Sequence, residues 1–395
     1  MPRLRVLSFI LSFFAALLAV PAGAVMNTSA EHALLMDGAT GQVLWEKDGY
    51  SPMPPASMSK LMTVELLFQR IKDGRVKLTD SFLVSERAWR ERSGSTMFVK
   101  VGNRVPVEAL IRGIIIQSGN DACIVVAEAL GGSVEGFVDM MNKRAKQLGL
   151  TGSHFVNPDG LDVPPGQIMT AFDLAKLSRH LINDYPKLYH YFGERSFTWQ
   201  GITQPNRNMV LDKFPGADGL KTGHLSESGY GITVSAVRGG QRMILVINGL
   251  RYPDLDKVGG RGKDWYAERR RADEAARMLG MAFREFRSYP LFKANEIAGT
   301  AVVWGGSEKR VPVTAGAPVT VTMQVDSRPR MRVALRFDAP VPAPIAKGQK
   351  IGTLKVTAPD FPGLTVPVYA AEEVRRTGFF GRIILGIKGL FGGGG

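Results

Sequence analysis

The chain has 395 residues, is 45% hydrophobic and 22% charged, and carries a formal net charge of +14. A basic balance admits nucleic acid as a partner, but no recognised nucleic-acid motif is present and none is expected to bind. The single cysteine, Cys123, excludes an intramolecular disulfide, and five histidines without H-E-x-x-H or paired-ligand spacing give no catalytic metal. No cofactor is expected.

Residues 1–24 begin with Arg3 and Arg5, continue as an apolar run over 6–20 and end in Pro21-Ala22-Gly23-Ala24. That is the layout of a secretory signal peptide cleaved after Ala24, and the run is short for a bilayer span. Its removal takes Arg3 and Arg5 and lowers the formal charge to +12.

The first chemistry-bearing string is Ser57-Met58-Ser59-Lys60, which follows Pro54-Pro55-Ala56 and opens a run over 58–69 rich in Met, Leu and Phe. Prolines just outside and a small residue entering the first turn predict a helix start at Ser57. Lys60 then lies one turn from Ser57 on the same face. A serine hydroxyl is a poor nucleophile until a base takes its proton, and a lysine serves as that base once burial and nearby positive charge disfavour its ammonium form. Lys221 and the helix N-terminus are the expected sources of that field.

Val107, Leu110, Ile114 and Ile115 recur at helical spacing before Ser118-Gly119-Asn120, and Ala122, Val125, Val126 and Ala129 do so after it. Between helices such a string reads equally as a turn with an N-cap. As part of a site, Ser118 would relay a proton between Lys60 and a leaving group, and Asn120 would donate its amide to a substrate carbonyl or hold Lys60. Cys123, among apolar neighbours, reads as a small core residue.

Lys221-Thr222-Gly223 opens a β segment in which 231–237 and 243–247 flank the turn Arg238-Gly239-Gly240-Gln241. An edge strand there can bind an extended peptide by strand addition, with Gly223 leaving room for close approach. Further on, 264–286 reads as a charged, alanine-rich helix broken by Ser288-Tyr289-Pro290. Beyond it the period becomes two. Val319, Val321, Met323 and Val325 alternate with polar residues, and so do Met331, Val333, Leu335 and Phe337. A small β-sandwich of about eighty residues is expected.

The end of the chain has Arg375, Arg376, Arg382 and Lys388 and no acid after Glu373. On a helical wheel Phe379, Phe380, Ile383, Ile384, Ile387, Leu390 and Phe391 share one side, opposite Arg375, Arg382, Gly378, Gly386 and Gly389. Such a segment is too short and interrupted to span a bilayer but can lie on an anionic membrane surface.

The three strings, in this order, resemble the motif set of the penicillin-binding proteins and class A β-lactamases. The chain is most similar, over nearly its whole length, to the low-molecular-mass penicillin-binding proteins, the serine-type D-alanyl-D-alanine carboxypeptidases of peptidase family S11. Asp37-Gly38-Ala39-Thr40-Gly41-Gln42-Val43-Leu44 resembles that family's opening hairpin. Phe155-Val156-Asn157-Pro158-Asp159-Gly160-Leu161 resembles its connecting segment, and Asp218-Gly219-Leu220-Lys221-Thr222-Gly223-His224 its third motif.

The resemblance implies an α+β catalytic domain over 25–287, with an antiparallel sheet and a helical cluster, a β-sandwich over 288–371 and an amphipathic anchoring helix with a glycine tail over 372–395. It makes Ser57 the acylated nucleophile, Lys60 the base, Ser118 and Asn120 the second element, and Lys221, Thr222 and Gly223 the substrate-facing strand. The backbone N–H groups of Ser57 and His224 would form the oxyanion hole. Arg271, within Arg269-Arg270-Arg271, is placed to hold a terminal carboxylate, with its two neighbours as competitors. The implied partners are peptidoglycan stem peptides ending in D-Ala-D-Ala, β-lactams as acylating inhibitors and the outer face of a bacterial inner membrane, reached from the periplasm. A β-lactamase, a DD-endopeptidase and a noncatalytic peptidoglycan-binding protein remain as alternatives. A class A β-lactamase resemblance would include a glutamate followed by leucine and asparagine, which none of Glu128, Glu135 and Glu194 is.

Overall fold

Unbroken apolar runs along two strands explain why the central sheet is covered on both faces. The computed structural model describes residues 26–91, 93–257 and 262–378. Residues 1–24 and the terminal segment from 379 onward, with the leader and most of the anchor expected there, lie outside the described residues. The sheet contains β1 (His32–Asp37), β2 (Val43–Lys47), β3 (Ala217–Leu225), β4 (Gly229–Arg238) and β5 (Gln241–Leu250). Their order is β2-β1-β5-β4-β3, all neighbours antiparallel. Leu34, Met36, Ile244 and Val246 enter one core, while Leu35, Met243, Leu245 and Ile247 enter the other. A strand covered on both faces reads as one apolar run, as β5 does. Gly239 and Gly240, both at positive φ, make the tight turn between β4 and β5 that the sequence predicts.

The first core packs against α1 (Lys60–Lys72), α2 (Val107–Ile115), α3 (Asn120–Gly131), α4 (Val134–Leu148) and α5 (Ala171–Asp184). Helix α1 is central: residues 60–68 are all buried, the two ionisable ones included. Ser133 and Thr170 cap α4 and α5 by accepting from the amides of Gly136 and Asp173. The second core packs against α6 (Gly262–Glu285), whose apolar stripe runs through Ala267, Ala275, Met278, Leu279 and Ala282. Arg271 lies on that same stripe, four residues from both Ala267 and Ala275.

Chain direction changes at Phe286. The helix ends at Glu285, and β6 (Phe286–Phe292) contains Ser288-Tyr289-Pro290, so this tripeptide lies in a strand and Phe286 and Arg287 already belong to it. β6 pairs with β9 (Val319–Gln324), and a six-stranded sheet faces them. That sheet comprises β7 (Ile297–Trp304), β8 (Arg310–Thr314), β10 (Arg332–Phe337), β11 (Val341–Pro342), β12 (Lys350–Ala358) and β13 (Phe361–Ala370), ordered β10-β12-β13-β8-β7-β11. Valines and other apolar residues from both layers fill a separate core.

Three sequence expectations change here. Val325 does not continue β9 but opens a 3-10 turn (Val325–Arg330), because the partner strand β6 begins at Phe286, opposite Gln324, and leaves Val325 nothing to pair with. Val333 is 40% exposed although Leu335 and Phe337 turn partly inward, β10 being an edge strand. Residues 372–378, assigned from the sequence to the anchoring helix, are extended: Val374 pairs with Ile345 and Arg376 with Gly306. Arg375 and Gly378, read from the sequence as part of the polar side of a helix, therefore belong to the sandwich, as does Arg376.

The two domains meet at Asp37, the last residue of β1, which is 1% exposed. One carboxylate oxygen accepts from the Thr40 amide and hydroxyl at 2.7 and 2.9 Å. The other accepts from the hydroxyls of Ser288 at 3.0 Å and Thr322 at 2.7 Å. Gln42 adds a side-chain donor to the Thr322 carbonyl at 2.8 Å.

Candidate active site

The three strings converge where β3, the edge strand, passes the entrance of α1. Ser57 sits on a 3-10 turn (Ala56–Ser59) directly before α1, whose first residue is Lys60, so the α-helix begins one turn after the start at Ser57 that the sequence predicts. Lys60 Nζ lies 2.8 Å from Ser57 Oγ and also donates to the carbonyl of Asp159. Ser118 follows the end of α2 and precedes α3, with φ at +61°, a backbone region that side chains rarely adopt. Its Oγ accepts from Lys221 Nζ at 2.9 Å. Thr222 and Gly223 follow Lys221 on β3, and the ring of His224 stacks on that of Tyr230 at 3.9 Å.

Local packing fixes this turn. Ala56 also has positive φ, at +50°. A Cβ on Gly160 would stand 2.1 Å from the Ala56 carbonyl oxygen, and one on Gly223 would stand 2.9 Å from that of Pro55. The room made by Gly223 is thus filled by the backbone ahead of Ser57, not kept for substrate as the sequence reading has it. Ser59 donates to the Ala56 carbonyl and accepts from Gln167, which accepts from the amides of Val156 and Asn157 and so ties the turn to the connecting segment.

Ser57, Ser118, Thr222, Gly223, His224 and Arg271 line one cavity of about 370 Å³, together with Gly94, Ser95, Arg207, Tyr230, Asp264 and Glu268. A second cavity of about 450 Å³, lined by Trp89 and Phe98 among others, shares Gly94, Ser95 and Arg207 with it. Of the three competing arginines, Arg271 is the one that lines this cavity. It is 2% exposed, with Nη1 donating to the Gly223 carbonyl, Nη2 to the Arg207 carbonyl and Nε without a partner. Arg269 instead stacks on Trp265, and Arg270 pairs with Asp254.

Asn120 does not hold Lys60, one of the two roles the sequence reading offers it. Its amide donates to the Ser93 carbonyl at 2.6 Å, not to Lys60, and its backbone N–H donates to the Ser95 carbonyl. It holds the segment that lines the cavity opposite β3, and its Oδ1 is buried without a partner. Asp121 helps, accepting from the amides of Met97, Val99 and Ala122. Nor does Ser118 bond Lys60; among the described residues its partner is Lys221.

Electrostatics follow from burial. Lys60 is fully buried, and that desolvation pushes its ammonium below the ordinary lysine value, with Arg207 assisting and the carboxylates of Asp159 and Asp121 opposing. Lys221 is driven well below its ordinary value by burial and then by repulsion from Lys60, Arg207 and Arg271. Burial and Arg271 lower the imidazole of His224. The thiol of Cys123 is pushed up to about 12 by burial, as suits an inert core residue. Arg207 and Asp159 escape the sequence reading as charge partners of Lys60: Arg207 has no motif spacing to mark it, and Asp159 is visible only as one residue of the connecting segment.

A serine–lysine pair facing a second lysine–serine pair across one cavity, on an α+β domain followed by a β-sandwich, places the protein in the penicillin-binding class of serine peptidases. Residues 19–251 match the family Peptidase S11, D-alanyl-D-alanine carboxypeptidase, and the chain belongs to it. Residues 286–376 match the C-terminal domain of penicillin-binding protein 5. D-alanyl-D-alanine carboxypeptidase DacC of Escherichia coli is 36% identical over 90% of this chain and 87% of its own. DacA of the same organism is 33% identical over 93% and 89%. The crystal structure of penicillin-binding protein 5 from Haemophilus influenzae superposes with a TM-score of 0.78 at 30% identity, covering 89% of this chain and 98% of the other. Penicillin-binding protein D2 of Listeria monocytogenes, solved in its ampicillin-bound form, matches 65% of this chain and 98% of its own at 26% identity, with a TM-score of 0.56.

Proposed function

We propose that the protein removes the terminal D-alanine from peptidoglycan stem peptides through an acyl-Ser57 intermediate. The observation that carries this reading is the 2.8 Å approach of Lys60 Nζ to Ser57 Oγ, with burial holding that lysine toward its neutral form. Neutral Lys60 takes the Ser57 proton as Oγ attacks the carbonyl of the penultimate D-alanine. The backbone N–H groups of Ser57 and His224 receive the oxyanion, and Ser118, bonded to Lys221, passes a proton to the departing amine. Arg271 faces the same cavity and supplies the cation for the substrate's terminal carboxylate. Water then releases the shortened peptide. β-Lactams enter as acylating inhibitors, in line with the ampicillin-bound relative.

Slow release of a β-lactam is supported by the surroundings of Ser57. Glu135 and Glu194 are engaged by Arg87 and Arg112, and neither they nor Glu128 lines the Ser57 cavity, so none of these three stands where it would activate a deacylating water. A membrane-bound periplasmic location is supported by the leader sequence over 1–24 and the apolar, basic segment after Gly378. Intact mass after incubation with benzylpenicillin tests the acyl-enzyme. A persistent one-equivalent adduct on the mature protein and none on Ser57→Ala is expected, followed by D-alanine release from a pentapeptide. No adduct with penicillin untouched would favour a binding protein, and no adduct with penicillin consumed a β-lactamase.

A further inference from the structure

We propose that the outer end of the second domain is itself a membrane-contact surface, with Trp304 seated in the headgroup layer of an anionic phospholipid bilayer. This rests on the reading of the segment after Gly378 as membrane-lying, and adds to it a folded contact.

Trp304 is 63% exposed at the end of β7, and Val302, two residues earlier on the same face, is 50% exposed. Among the described residues no ring stacks on Trp304 and no cation covers it. Trp265, 53% exposed, differs in having the Arg269 guanidinium 5.3 Å from its ring. A large ring with a polar N–H and no protein partner suits the boundary between water and acyl chains.

Strand order puts this ring far from the catalytic domain. Ser288 on β6 and Thr322 on β9 bond Asp37, which marks the inner end of the sandwich. From there successive antiparallel strands β10, β12 and β13 carry the chain out, back and out again, so Ala370 and the residues after it finish at the outer end. The chain is then pinned beside Trp304. Thr377 donates its amide to the Gly305 carbonyl at 2.9 Å and its hydroxyl to the Gly306 carbonyl at 2.8 Å. Ser307 donates back to the Arg375 carbonyl at 2.8 Å.

Phe379 comes two residues after Thr377 in the sequence, and two residues of chain reach at most about 7 Å. The run that begins there holds Phe379, Phe380, Ile383, Ile384, Ile387, Leu390 and Phe391, and its charges, Arg382 and Lys388, are basic. Once that run lies on a bilayer, the headgroup plane passes within reach of Trp304. The adjoining surface suits an anionic one. Lys309, Arg310 and Arg376 are exposed there, Glu308 is the acid of the same loop, and Glu373 is engaged by Arg375 at 2.9 Å.

The test uses the mature full chain, Trp304→Ser and a deletion of 379–395, with vesicles of phosphatidylglycerol and phosphatidylethanolamine, some carrying bromine near the headgroup end of the acyl chains. Trp304→Ser should weaken vesicle binding about tenfold. It should also abolish the lipid-quenched part of the tryptophan emission and leave D-alanine release from a soluble peptide unchanged. Binding and quenching equal to the wild type, with binding lost only in the deletion, would leave the terminal segment as the sole contact and overturn the proposal. A Trp304 emission already blue-shifted and shielded without vesicles would overturn it too, because the chain's own terminal segment would then cover the ring. A wild type that binds no vesicles would remove the membrane reading itself.

Discussion

Lys60 has to work as a base although lysine is ordinarily protonated, and the cost of its burial is what tips it toward the amine. Arg207 pushes the same way, whereas Asp159 and Asp121 push back. The neutral amine is the active form, so acylation of Ser57 should rise as pH climbs through the lowered lysine value. Arg207→Gln removes a repelling cation, which raises that value and moves the acid limb of the acylation profile to higher pH. Stopped-flow penicillin acylation across pH measures it; a limb that stays put would mean Arg207 is electrostatically silent. Among individual residues, the strings 57–60, 118–120 and 221–223 were readable because acyl transfer demands those groups at those spacings. Arg271 was read only as one of three competitors; its burial on the apolar stripe of α6, where a cation needs a reason to be, sets it apart from its neighbours. Arg207 was not readable, since its proximity to Lys60 arises from a turn between distant elements and no local period marks it.

Between secondary elements, the short turn before α1 is held by contact with backbone from two sides. Gly160 presses on the Ala56 carbonyl from the connecting segment, and Gly223 on that of Pro55 from β3. Gly160 also has φ at +82°, which a side chain resists. Gly160→Ala should therefore cost about 1–3 kcal/mol in a denaturant melt. It should slow acylation on the order of a hundredfold by displacing Ser57. A loss of stability with acylation untouched would show that the turn tolerates the push. The strands of the sheet and helices α2, α3 and α6 could be read from period and punctuation, because their burial is one-sided or uniform over several turns. The second domain was less legible at its margins. Val325 keeps the period of β9, yet the ladder ends at Gln324 because β6 begins opposite it at Phe286, and Ser288-Tyr289-Pro290 resembles a helix stop while sitting in a strand. Residues 372–378 carry the basic side of an amphipathic pattern but find backbone partners on the sandwich, and hydrogen bonds already available to an extended chain outweigh local helix propensity.

At the level of the whole molecule, two separately cored units are joined by one buried carboxylate. Asp37 takes two hydrogen bonds from its own hairpin and two from the second domain, so it orders both sides of the junction at once. Asp37→Ala should cost at least about 1.5–3 kcal/mol and split the calorimetric transition, with the second domain melting earlier. D-alanine release from a soluble peptide should persist, since the cavity contains no atom of Asp37. A single unchanged transition would mean that the apolar contacts across the junction suffice. In the proposed membrane-bound arrangement, a junction ordered in this way would let the sandwich act as a strut, carrying the mouth above Ser57 at one altitude over Gly378. A substrate held in a layered polymer would then be met by stratum, and stems hanging above or below that altitude would be passed over however well their ends fit the cavity.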